Sequence, residues 1–171
     1  MIRVEREIEV DRSASEVFDR LVRIEDLPRW QPDITEAAIE SPPPLRVGSR
    51  LRLVAHVAGQ RVVANGTITE LERPLRIGLA AKAGSTDVEG AVTITPTSAD
   101  SCRVALVTAI RLGGMLRFVE GVARSRIEQE APAVAASVKR WLETDEADEA
   151  DEPADAAGAA GAADAPETAR G

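Results

Sequence analysis

Residues 102–123, CRVALVTAIRLGGMLRFVEGVA, change period part-way through. Cys102, Val104, Leu106, Thr108, Ile110 and Leu112 recur at every second position, which predicts a strand with one buried face. Gly113-Gly114 breaks the strand, and from Met115 the apolar spacing becomes helical. Leu116, Val119, Ala123, Ile127, Ala131, Val134, Val138 and Trp141 form one stripe. A stripe this long needs a continuous apolar partner, and the concave face of a curved sheet is the candidate. Pro132 lies inside the stripe and cannot donate to the carbonyl of Glu128, so a kink or break is expected near Glu130.

Working back from this junction, the chain reads as strands joined by short turns. Residues 34–40 can form a strand, followed by the rigid connector Pro42-Pro43-Pro44. Arg50 to Ala58 alternates, with Leu51, Leu53, Ala55 and Val57 on one side, and Gly59-Gln60 predicts a hairpin turn. Arg61 to Leu71 returns with mixed parity around Asn65-Gly66, where a bulge is expected. Leu75 to Ala81 and Val88 to Ile94 supply two more strands, turned at Gly84-Ser85 and at Ser98–Ser101. Short connections of this kind predict an antiparallel meander.

The amino-terminal segment supplies the remaining elements. Ile2, Val4, Ile8 and Val10 share one face of a strand, and Arg6 falls on the same parity and breaks the pattern. Ser13-Ala14-Ser15-Glu16 has capping-box spacing and opens a short helix carrying Val17, Phe18, Leu21 and Ile24. Leu27-Pro28-Arg29-Trp30 predicts a second short helical turn, ended by Pro32.

The segments Ile8–Phe18, Leu27–Pro32 and Ile68–Ile77, together with the Gly113-Gly114 entry to the last helix, occur in an order that resembles the SRPBCC or START-like superfamily. The closest likeness is to its polyketide cyclase/dehydrase and lipid-transport branch. The resemblance covers residues 2 to about 143. It implies an α+β helix-grip fold: a curved antiparallel sheet of about six to seven strands around a long C-terminal helix, with two short helices after the first strand. It also implies a cavity between sheet and helix that holds a small hydrophobic or lipid-like molecule. The superfamily shares no universal catalytic motif, and fold alone does not choose among its functions.

Charge divides the chain in two. Up to Leu142 there are 20 Lys and Arg against 19 Asp and Glu, a net of +1; from Glu143 onward ten acidic residues face one Arg, a net of −9. The expected domain is therefore 1–143. Residues 144–171 are expected to form a disordered acidic tail of Ala, Asp, Glu and Gly, able to dock on a basic partner. A nearly neutral domain argues against a nucleic-acid surface. No apolar run approaches a membrane span and the N-terminus has no secretory apolar core, so a cytoplasmic location without membrane insertion is expected.

Candidates for chemistry are few. His56 is the single histidine, and on strand parity it faces away from Leu51, Leu53 and Ala55, so it reads as a solvent-facing residue before it reads as an acid or base. One histidine with no carboxylate spacing around it gives no metal site, and no phosphate loop or other cofactor motif is present. Cys102, the single cysteine, reads as a buried inert thiol. Arg6 either meets an acidic group of a ligand or keeps its head in water at the sheet rim. Trp30, Asn65, Thr108, Met115 and Phe118 complete the expected ligand-cavity set. The leading expectation is a non-enzymatic binder or carrier. The alternatives are a polyketide cyclase/dehydrase-type enzyme acting in the same cavity without a metal, and an interaction scaffold using the acidic tail.

Overall fold

A computed structural model describes residues 1–144, apart from the side chains of Leu116, Arg117 and Val119. The expected acidic tail therefore lies, but for Thr144, outside the described residues. The chain runs β1 (Ile2–Val10), α1 (Ala14–Leu21), a 3-10 turn (Ile24–Asp26) and α2 (Leu27–Trp30). Six strands follow: β2 (Ile34–Ile39), β3 (Arg50–Val57), β4 (Gln60–Glu72), β5 (Arg76–Ala83), β6 (Thr86–Pro96) and β7 (Cys102–Arg111). A second 3-10 turn (Gly114–Val119) leads into α3 (Glu120–Glu143). The strands form one antiparallel sheet in the order β1-β7-β6-β5-β4-β3-β2, so the meander is complete and β1 pairs with β7 at the far side. No helix among the described residues is long and apolar enough to cross a membrane.

Register decides which side chains face the core. Ile2, Ile110, Val88, Ala81, Gly66 and Leu51 form one row across the sheet, and Val4, Thr108, Gly90, Leu79 and Ile68 form the next. Both rows point to the concave side, since strand neighbours two apart share a face. The short helices fill one half of that side with Val17, Phe18, Leu21, Ile24, Leu27 and Trp30, all buried. The last turns of α3 fill the other with Val138, Trp141 and Leu142. α1 starts with the expected capping box: the Glu16 N–H donates to Ser13 Oγ at 3.3 Å and the Ser13 N–H donates to Glu16 Oε2 at 3.0 Å.

Four local expectations need correction. The β3–β4 turn is Ala58-Gly59, one residue earlier than read, with φ of 50° and 76°. Two successive positive φ values are what a two-residue hairpin turn requires. The irregularity in β4 falls between Ile68 and Glu70, and Asn65-Gly66 pairs regularly on both sides. Gly66 answers a different need: a Cβ there would stand 2.9 Å from the Ala80 carbonyl oxygen, so glycine lets β4 and β5 approach. The final helix begins at Glu120, because the turn after Gly114 is 3-10.

The fourth correction concerns Pro132, across which α3 runs unbroken. The carbonyl that the proline leaves without an α-helical donor is that of Glu128. Arg6 Nη2 donates to that oxygen at 3.5 Å, the long limit of a hydrogen bond. The arginine that breaks the pattern of its strand face thus reaches the carbonyl that the proline leaves open.

Candidate functional site

Between β1, β7 and α3 lies a cleft of about 170 Å³. Its walls are Val4 on β1, Leu106 and Ile110 on β7, and Ile127, Ala131 and Val134 on α3. Each is placed by its period: every second residue on the strands, and positions i, i+4 and i+7 on the helix. The volume is below the roughly 300–1,000 Å³ of sites for drug-sized molecules, so the hollow is tighter than the sequence implied. The reason is coverage from two sides, with α3 lying along β1 and the short helices filling the rest of the concave face.

Polar groups ring the cleft. Arg6, Gln31, Asp33, Thr108 and Glu130 all line it. Arg6 is half-buried; its Nη1 donates to the carbonyl of Glu5 at 2.9 Å and its Nη2 reaches Glu128, so the head is held by backbone carbonyls at the exposed rim of the cleft. Arg126 Nε donates to Glu130 Oε1 at 2.8 Å. The Glu130 carboxylate, with Asp33 behind it, raises the pKa of that guanidinium. Two cations and two carboxylates therefore share this rim, and a guest's polar end would find either sign of charge there.

The helix that forms one wall is fixed at its far end. Arg20 on α1 is only 6% exposed and donates through Nη1 to the carbonyls of Thr144 at 2.5 Å and Leu142 at 3.5 Å. Its guanidinium carbon stands 4.8 Å from the Trp141 ring centroid. Arg12 Nη2 donates to the carbonyl of Glu143 at 3.0 Å, and the Asp11 N–H donates to Glu143 Oε1 at 3.1 Å. Lys139 Nζ donates to the carbonyl of Glu9. Arg12 and Arg20 satisfy open carbonyls at the end of α3 and lie at the negative end of its dipole, while Lys139 ties the helix to β1.

Of the expected site residues, the cleft brings together Arg6 and Thr108. Trp30 is elsewhere: it is buried and stacks on Trp141, with ring centroids 6.2 Å apart, as part of the solid core. Asn65 points to the convex face, where it borders a shallow hollow of about 630 Å³ with Arg50, Lys82, Asp87 and Arg111. His56 is exposed, as its parity predicted. Met115 and Phe118 are 86% and 89% exposed and stand outside the cleft, so the structure corrects their assignment to its wall. They lie in the 3-10 turn that precedes α3, not on its first helical turn.

Asp33 and Glu130 were not singled out from the sequence. Glu130 shares the helix face of Ile127, Ala131 and Val134 at spacing i+3, which is the signal that could have found it. Asp33 follows the Pro32 turn and carries no comparable signal. Cys102 is fully buried at the start of β7; burial, and then the nearby Glu9 carboxylate, push its thiol pKa up, away from a reactive thiolate. Among the described residues no group of three or more His, Cys, Asp or Glu side chains is placed to hold a metal ion.

The profile of the family described as polyketide cyclase/dehydrase and lipid transport matches residues 1–143. No curated protein matches the sequence. The fold is shared with solved structures. One is the di-domain ARO/CYC BexL, at 22% identity and a TM-score of 0.63 over 82% of this chain and 46% of that one. This chain thus spans about half the length of that relative. A second is a START superfamily protein from Mycobacterium smegmatis, at 21% identity and a TM-score of 0.60 over 81% of this chain and 98% of that one. A third is the Zhui aromatase/cyclase from a Streptomyces species, at 16% identity and a TM-score of 0.67 over 82% and 92%. At these identities the likeness is one of fold.

Proposed function

The chain belongs to the polyketide cyclase/dehydrase and lipid transport family, and on that premise we propose that it binds a small hydrophobic molecule in the cleft between β1, β7 and α3. The observation that carries this reading is the lining: an apolar floor of Val4, Leu106, Ile110, Ile127 and Val134 beneath a rim of charged side chains. An apolar body burying itself there gains about 25 cal/mol per Å², and the rim orients one polar end. A cleft of about 170 Å³ favours a small or narrow guest, such as one aliphatic chain.

The test is mass spectrometry of the organic extract of the purified protein, set beside that of Ala131→Phe, which fills the cleft. A guest present in the first and depleted at least tenfold in the second is the expected result. An empty cleft in both, with no uptake of added fatty acid, overturns the reading.

A cyclase-type enzyme acting in the same cleft is the second reading, favoured by the presence of Asp33 and Glu130 on its wall. Either carboxylate is placed to exchange a proton with a bound molecule. Glu130→Gln separates the two readings. A binder carries the same guest after the substitution, whereas an enzyme accumulates a chemically different one.

A further inference from the structure

The large apolar side chains that the fold leaves exposed are not scattered. Met1, Val57, Val63, Met115, Phe118 and Val122 are exposed, and Val47 is the one other among the described residues. Met1 precedes β1, Met115 follows the end of β7, and Phe118 and Val122 lie on the turn and helix that continue from it, so these four share the corner of the sheet where α3 begins. Val57 and Val63 lie beyond the same row from Ile2 to Leu51 but on the β3–β4 hairpin, toward the other edge of the sheet.

Charge is biased at the same end. The segments there carry Arg52, Arg61, Lys82, Arg111, Arg124 and the terminal amine, against Asp33, Glu36, Asp87 and Glu120. Most of these charges pair with one another: Glu36 with Arg52 and Arg61, Asp87 with Lys82, Glu120 with the Met1 amine and Arg124, which leaves cations in excess by six to four. Among the described residues the Arg111 side chain meets Met1 Sδ at 3.9 Å, and Arg124 Nη2 donates to the Met1 carbonyl at 3.1 Å and stands 3.8 Å from Glu120 Oε1, a carboxylate it shares with the Met1 amine.

We propose that this end docks on the surface of an anionic phospholipid bilayer, with Met115, Phe118 and Val122 entering the boundary of the acyl chains and Arg111 and Arg124 meeting phosphate groups. Phe118 and Met115, spaced i, i+3 on a 3-10 turn, stand on one side of it. With nearly all of their area exposed, they form a wedge clear of the domain. A stable protein partner would need roughly 800 Å² of complementary surface on each side; a bilayer imposes no such shape and takes single wedges flanked by cations. The binding is interfacial, with no segment spanning the membrane.

The net negative charge of the whole chain does not oppose this. The acidic tail begins after Thr144, at the opposite end of α3, and 24 residues of helix separate the two by about 36 Å. That is several times the roughly 8 Å screening length at physiological salt.

Ile110 and Ile127 are the cleft residues nearest in sequence to Arg111 and Val122, so the docked end adjoins the cleft. The inference rests on the proposed binding role only for what docking would deliver; docking itself is independent of it.

The test is co-sedimentation of the full chain with vesicles of phosphatidylcholine, alone or mixed equally with phosphatidylglycerol. Binding at least tenfold stronger to the mixed vesicles, weakening as salt rises, is expected. Phe118→Glu together with Met115→Glu should reduce it at least tenfold with an unchanged thermal midpoint, and Arg111→Glu should reduce it several-fold. Ala131→Phe should lose the guest and keep vesicle binding, which separates failure of this proposal from failure of the cleft reading. No binding to either vesicle overturns it. So does a double variant that still binds, or sedimentation showing a wild-type dimer that the double variant converts to monomer.

Discussion

The last two turns of α3 are buried on one face and bonded on several sides, whereas the turn leading into its first residue carries Met115 and Phe118 in the open. At the C-terminal end Val138 and Leu142 are fully buried, Trp141 lies between Trp30 and the Arg20 guanidinium, and Arg12, Arg20 and Lys139 reach across to or from backbone carbonyls. At the N-terminal end the ties include the ion pair from the Met1 amine to Glu120 and the hydrogen bond from Arg124 to Met1. The cleft lies between them, along Ile127 to Ala135. One amphipathic helix thus has a fixed end that defines the cleft wall and a weakly tied end that can give way. A cleft of about 170 Å³ can admit a larger guest if the N-terminal half of α3 shifts while the clamp holds.

The largest effect that would break this contrast is at the clamp. Trp141→Ala removes a buried indole, its stack on Trp30 and the seat of Arg20, and is expected to cost about 3–5 kcal/mol. Urea unfolding followed by circular dichroism measures it. A cost below about 1 kcal/mol would mean that the C-terminal end is not the fixed one.

A smaller effect comes from pH, and again at one end only. Burial raises the pKa of Glu143, but the Asp11 N–H, Lys139 and Arg12 together outweigh it and leave the carboxyl below its ordinary value. A depressed folded pKa means the contribution is present above the unfolded value, about 4.3 for Glu, and is lost as pH falls through the folded pKa. Glu143→Gln is therefore expected to cost roughly 1 kcal/mol at neutral pH and little in strong acid. The difference between variant and wild-type melting temperatures should narrow as pH drops below about 4. A gap that stays constant with pH would remove the carboxylate from the clamp.

Much of this architecture was legible because it rests on period. The strand parities put Ile2, Val4, Leu51, Val104 and Ile110 on the correct face, and the stripe from Ala123 to Trp141 found α3 and its buried side. What was not legible rests on contacts distant in sequence. Arg20, sitting in a short helix beside Asp19, reads as surface; it is buried because the carbonyls of Leu142 and Thr144 come to it from 122 and 124 residues away. Pro132 reads as a helix break until Arg6, 126 positions earlier in the chain, is seen at the carbonyl it leaves open. The site suffered most: Met115 and Phe118 were placed by their position at the start of the last helix, a segment that winds as a 3-10 turn. Trp30 was assigned to a cavity wall when its partner was another tryptophan.

The smallest expected effect is the sharpest on the comparison. Phe118 is one of only two phenylalanines, and a Phe in a domain this poor in aromatics would ordinarily be a core anchor. If the open end is open in solution, Phe118→Ser removes no buried area, leaves no cavity and strands no polar group, so stability should change by no more than about 0.5 kcal/mol. The same unfolding measurement used for Trp141→Ala reads it. A loss of about 2 kcal/mol or more would show that Phe118 spends its time against the sheet, most simply over the half-exposed concave residues Leu79, Val88 and Ile110. The N-terminal end of α3 would then be a closed element like its other end, the cleft would have no loose wall, and a larger guest would have no way in from that side.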